Sequence, residues 1–153
     1  MYSTQVDRKE IAIALSGGGI RAMVFHLGVL TYLAEQKRLE QITHISSVSG
    51  GSLIVGLIFQ EAGMQWPTSE MFLQRVAPRV KQILCTKSLI SGTLKQFINP
   101  LNLKYLFSRA NVVSKALAAE WQIHAKLTDL PDLPYWSING TVGETGKRFR
   151  FKK

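Results

Sequence analysis

Two short stretches hold residue types that acyl-transfer chemistry needs. The first is Ser47-Val48-Ser49-Gly50-Gly51. A nucleophile elbow, written G-x-S-x-G, holds a serine on a strained strand-to-helix turn with its hydroxyl exposed, and small residues two before and two after it let the backbones pass closely. Ser49 takes the nucleophile position, between Val48 and Gly50. Gly51 fills the second small position, and Ser47 fills the first with a residue other than glycine. Ser49 would also head a helix beginning at Gly50, whose dipole favours negative charge developing there. The same pentapeptide also reads as a plain helix start, because serine is among the best N-caps. Ser46, Ser47 and Ser52 read as small-residue padding around the candidate.

The second stretch is Ser16-Gly17-Gly18-Gly19-Ile20-Arg21. Three glycines at a helix start let the backbone present successive N–H groups to an anion. Facing a serine, the amides of Gly17, Gly18 and Gly19 would form an oxyanion hole for a tetrahedral acyl intermediate. Facing a cofactor they would hold a pyrophosphate, and Gly17-x-Gly19-x-x-Ala22 matches the dinucleotide fingerprint. That fingerprint also needs an acidic residue at the end of the second strand. Glu40 has about the right separation but precedes the strand. Arg21 either shapes the glycine turn and attracts a phosphate headgroup, or is a solvated surface arginine.

The surrounding pattern positions both stretches. Glu10 to Leu15, EIAIAL, reads as a buried strand stopped by Ser16 and the glycines. Ile20 to Gln36 is helical and apolar nearly all round, so a sandwiched helix is expected, with Gly28 marking close backbone packing. Ile42 to Val48 is a second strand, and Gly50 to Ala62 a second helix ending near Gly63. Strand, turn, helix, repeated, implies parallel strands joined by right-handed crossovers. Both turns then sit at the carboxyl ends of neighbouring strands, where open α/β sheets bind ligands.

After Trp66-Pro67 three basic amphipathic helices are expected: Thr68 to Leu84, Leu94 to Phe107 and Val112 to Ala125. Pro78 should kink or split the first. They read as a helical insertion over the strand ends. Tyr135 to Val142 and Lys147 to Phe151 form a hairpin around GETG.

The 153 residues suggest one domain, and 46% hydrophobic content is enough for a core. A single cysteine rules out an intrachain disulfide and a cysteine-rich zinc site, and Cys85 reads as a small buried hydrophobe. His44 and His124 pair with nothing at ligand spacing, and His26 reads as a hydrogen-bonded core histidine. No metal or cofactor is expected. The mixed-charge start, MYSTQVDRKE, does not read as a secretory signal, and the longest apolar run, Leu53 to Phe59, is far short of the roughly 20 residues that span a bilayer. A soluble cytoplasmic protein, peripheral at the inner face of the membrane, is expected. Net charge is +9, and between Met71 and Ala119 there are eight basic residues and no acidic one. Such a field attracts an anionic membrane surface or nucleic acid, or simply keeps a face solvated. Nothing resembling a base-stacking motif supports nucleic acid.

Taken together, LSGGGIRAMVFHLGVL and ITHISSVSGGS resemble the N-terminal part of a bacterial patatin-like phospholipase. Gly17, Gly18, Gly19 and Arg21 match that family's G-G-G-x-[RK] turn. His26 and Gly28 match its A-x-x-x-H-x-G-V-L helix, and Ser49 matches its elbow. Ala22 and Ser47 stand where glycine is frequent. The resemblance implies a three-layer α/β/α sandwich around a mostly parallel sheet with a helical insertion: core 8–63, basic insert or lid 68–127 and core strands 134–152. It also implies hydrolysis of a phospholipid or other lipid ester by a Ser–Asp dyad without histidine. The family's aspartate lies in a D-G-G or D-G-A motif, which this sequence lacks. Asp7 precedes the first strand, and Asp129 and Asp132 read as turn residues. The chain therefore reads as the front part, 1–153, of a longer catalytic domain, with the base expected beyond Lys153. The competing readings are a catalytically incomplete or membrane-binding module, because a serine without a base is a poor nucleophile, and a dinucleotide-binding domain.

Overall fold

The computed structural model describes residues 9–86, 118, 119, 121 and 125–152. Strand β1 (Ile11–Leu15) leads through the glycine turn into helix α1 (Gly19–Glu35); strand β2 (Ile42–Val48) leads through the serine turn into helix α2 (Gly50–Glu61). Three helical pieces follow end to end: α3 (Ser69–Met71), a π-helical stretch (Phe72–Val76) and α4 (Ala77–Thr86). Strands β3 (Tyr135–Thr141) and β4 (Arg148–Lys152) complete a sheet of order β1-β2-β3-β4. The expected helix at 94–107 lies outside the described residues, as does that at 112–125 except for 118, 119, 121 and 125, and with them most of the basic insert.

β1 and β2 are parallel with Leu15 opposite Ser47, and β2 and β3 are parallel with Val48 opposite Asn139. Among the described strands only β4 runs antiparallel. That pairing puts the Ser16–Gly19 and Ser49–Gly51 turns at the same end of adjacent strands, as the strand–turn–helix repeat requires. Both crossovers step the same way across the sheet, so right-handed connections place α1 and α2 on one face. Leu15, Ile45, Ser47 and Trp136 point into that face and are buried. Ala12, Ala14, Ser46 and Val48, on the opposite face, are exposed among the described residues. The result is an α/β sandwich with a mixed four-stranded sheet flanked by helices.

α2 drives much of the packing. Ile54, Val55, Leu57, Ile58 and Phe59 are at most 1% exposed, and each full burial contributes about 2 kcal/mol. Met23, Leu30 and Ala34 of α1 join the same core.

Four local expectations change. Among the described residues β1 has a strand on one side only, and its residues alternate between half-buried and exposed until Leu15. α1 is not sandwiched: Ala22, Met23, His26, Leu30 and Ala34 are buried, while Val24, Phe25 and Tyr32 are 55%, 67% and 61% exposed. Among the described residues, α1 finds its partners in the sheet, in α2 and in the α3–α4 segment, and its remaining side meets none. Gly28 falls on the outer side, and a Cβ there would touch nothing within 4 Å, so it marks no close packing. Cys85 is exposed, because Val80 and Ile83 take the inward positions of α4.

Pro78 does interrupt its helix, but through the turn before it. The Ala77 N–H bonds the Phe72 carbonyl, five residues back. Proline lacks an N–H and its ring clashes with the carbonyl four residues earlier, and the widened π-turn relieves that conflict.

Candidate active site

β2 ends at Val48 and α2 begins at Gly50, which leaves Ser49 alone to turn the chain. Its backbone sits at φ 51°, ψ −121°, a region that L residues occupy only when the surroundings force it, at a cost of about 1–3 kcal/mol. The side chain makes no capping hydrogen bond. The plain N-cap reading therefore fails, and Ser49 is an exposed hydroxyl on a strained elbow.

The small residues beside it are sterically required. A Cβ on Gly51 would collide with the Leu15 carbonyl at the end of β1. A Cβ on Gly50 would fall 2.5 Å from the Gly19 carbonyl oxygen and 3.0 Å from the Gly19 nitrogen. Helix α2 thus starts directly against the glycine turn. From the other side, the Cβ position of Gly17 lies 3.2 Å from Ser49 Cβ and 3.8 Å from Ser49 Oγ. Gly18 and Gly19 have φ 139° and 61°, which side-chain-bearing residues rarely adopt. The two stretches meet, with Gly17, Gly18 and Gly19 exposed beside Ser49.

A histidine anchors the glycine turn. His26 is 4% exposed and its Nε2–H donates to the Ser16 carbonyl at 3.0 Å. The carbonyl can only accept, so Nε2 carries the proton. This is the expected core histidine, and it ties α1 back to the residue that opens the turn.

The serines flanking Ser49 are not padding. Ser47 is 1% exposed; its Oγ accepts from Trp136 Nε1 at 2.8 Å and pairs with Ser52 Oγ at 2.9 Å. Ser46 Oγ accepts from Asn139 Nδ2 at 3.0 Å, and the same amide donates to the Ser47 carbonyl at 3.0 Å. Buried Ser47 needs a partner for its hydroxyl, and β3 supplies one in Trp136. Trp136 and Asn139 are the residues that reading the sequence missed. No local signal points to them, since both partners are about ninety positions away.

Arg21 lies exposed in the first turn of α1, with no ion pair to a described residue. Asp129 caps a short 3-10 turn, accepting from the Lys126 N–H at 2.8 Å, and so serves turn chemistry. Glu40 accepts from Ser69 Oγ at 2.6 Å, at the start of α3, and sits before β2 rather than beyond its end. It is not placed to hold a ribose above the glycine turn. Among the described residues no group of three His, Cys, Asp or Glu side chains gathers as metal ligands, and no helix is long and apolar enough to cross a membrane.

This arrangement offers an exposed serine hydroxyl beside bare backbone amides at two helix starts. A family model described as patatin-like phospholipase matches residues 13–138. Over 53 residues the chain is 36% identical to cytosolic phospholipase A2 gamma of Homo sapiens. That match takes in 35% of this chain and 10% of the relative, so the chain spans a small part of the curated protein it matches. No solved structure matches.

Proposed function

This chain belongs to the patatin-like phospholipase family, and on that premise we propose that it carries the nucleophile of a lipid acyl hydrolase of phospholipase A or lysophospholipase type. Ser49 Oγ attacks the ester carbonyl carbon of a membrane glycerophospholipid and passes its proton to a carboxylate base. The amides of Gly17, Gly18 and Gly19 receive the oxyanion of the tetrahedral intermediate. Collapse breaks the bond to the glycerol oxygen, which takes up the proton, and water then releases the fatty acid from Ser49. The base is an aspartate of a D-G-G or D-G-A motif, to which none of Asp7, Asp129 and Asp132 belongs. Arg21 faces the phosphate headgroup.

One observation carries this reading: the Ser49 side chain stands on a strained elbow with no capping bond, 3.8 Å from the Cβ position of Gly17. A net charge of +9 and the exposed Phe25 and Tyr32 support work at an anionic membrane surface, from the cytoplasmic side.

A second reading, a membrane-binding module without turnover, is favoured by Asp129 being engaged at Lys126 and not at Ser49. The two separate on vesicles: the module binds them in a salt-dependent way and releases no fatty acid. For the leading reading, a full-length protein is treated with a fluorophosphonate probe. Labelling that persists in Ser49→Ala ends the assignment.

A further inference from the structure

Asn139 sits inside β3, opposite Val48 of β2, although asparagine is depleted from strands and Asn-Gly is a turn signal. A residue at odds with its own element points to a functional or strained site nearby. Its Nδ2 donates to the Ser47 carbonyl and to Ser46 Oγ, each at 3.0 Å, which uses both amide hydrogens. The Ser137 carbonyl is more distant, at 3.5 Å. The Ser47 carbonyl can only accept, so the amide nitrogen and not the amide oxygen must face it.

This bond falls at a point that side-chain packing leaves loose. Beyond Ser49, α2 is wedged against the Leu15 and Gly19 carbonyls. Below the elbow, the Ser47 hydroxyl is fixed by Trp136 and Ser52. Between these two anchors Val48 is 40% exposed, so its side chain does little to hold the backbone. An unfavourable backbone such as that of Ser49, at φ 51°, persists only where its surroundings over-determine it. Turning the Ser47–Val48 peptide plane would release it, and the Asn139 amide holds that plane by its carbonyl oxygen. Asn139, Ser16 and Val48 also line one open groove at the strand ends, so the amide lies beside both turns.

We propose that Asn139 is a positioning residue for Ser49: its side-chain amide fixes the Ser47–Val48 peptide and so keeps the elbow in the strained form that presents Oγ. The chemical consequence rests on the hydrolase reading above, to which this adds a residue of β3.

The test compares the full-length protein with Asn139→Asp, which keeps the shape and at neutral pH has no hydrogen to donate. Both are labelled with the fluorophosphonate probe over a range of concentrations, and amide exchange is followed from Ser47 to Ser49. The maximal labelling rate should fall about tenfold, the upper end of what one ordinary hydrogen bond can shift. The probe concentration giving half that rate should not move, and exchange should speed by the same factor as labelling slows. Asn139→Ala serves if Asn139→Asp does not fold. Ser46→Ala removes the other acceptor and leaves the Ser47 bond, so its labelling should match the unaltered protein. Unchanged labelling in a folded Asn139 variant overturns the proposal. An equal fall in Ser46→Ala does so too, by assigning the amide to sheet stability alone. If the unaltered protein takes no label, the hydrolase reading fails by itself and exchange decides. Faster exchange then keeps Asn139 as the residue that fixes the elbow, and unchanged exchange removes it.

Discussion

Trp136 and Ser47 stand 89 positions apart in the chain, yet the indole N–H of one donates to the hydroxyl of the other across 2.8 Å beneath the elbow. The bond is buried, and Ser52 closes a three-residue group that pins β2, β3 and α2 together just below Ser49. Ser47 occupies a position where an elbow usually has glycine, and the serine uses the difference to bind β3.

Trp136→Phe removes the donor and leaves Ser47 paired with Ser52, a loss of about 1 kcal/mol. Ser47→Ala strands the indole N–H and should cost about 1–3 kcal/mol. The double variant should fall short of the sum, because neither partner is then left unpaired. Urea melts of the four proteins measure the coupling; strict additivity would mean that the bond contributes nothing.

Gly51→Ala drives a methyl into the Leu15 carbonyl and should destabilise by about 1–3 kcal/mol or more. Gly50→Ala meets the Gly19 backbone and must displace the glycine turn. If the turn supplies oxyanion donors, fluorophosphonate labelling of the full-length protein should drop by about 10²–10³-fold. Unchanged labelling in a folded Gly50→Ala protein would remove the glycine turn from the mechanism.

His26→Phe cuts the tie to the Ser16 carbonyl while filling the same buried space. Labelling of Ser49 should slow by about 10–100-fold, the scale of a small misplacement of reacting groups. His26→Gln, which keeps an N–H donor, should recover most of the rate. Equal loss in both variants would assign His26 to packing alone.

Gly28→Ala should stabilise the protein, since the site is inside α1 and open space surrounds its Cβ position. The gain is about 0.5–1 kcal/mol, visible as a rise of about 2–4 °C in melting temperature. A fall would mean that α1 packs its outer side against something.

Cys85 should react with a thiol reagent in the native protein about as fast as in denaturant, because the side chain is exposed on α4. Protection that is lost only on unfolding would put it back in a core.

Much of the frame was legible from local pattern. β-branched runs stopped by glycine, with helical spacing after them, located β1, α1, β2 and α2 to within about two residues, and the repeat implied parallel strands with both turns at one end. The pairing of Leu15 with Ser47 bears this out. These are short-range matters, in which backbone sterics and side-chain period act over a few positions.

What only the tertiary structure decided is which surfaces meet. Periodicity says that Val24, Gly28 and Tyr32 share a side of α1, not whether another element lies against it, and that side proved exposed. Composition marked Ser46 and Ser47 as small; their hydrogen bonds depended on β3 arriving with Asn139 and Trp136 in register. The strained backbone of Ser49 has the same origin, since Leu15 and Gly19 crowd α2 from a separate strand and turn. Contacts between distant segments depend on how the whole chain closes, and no local window of residues holds that information.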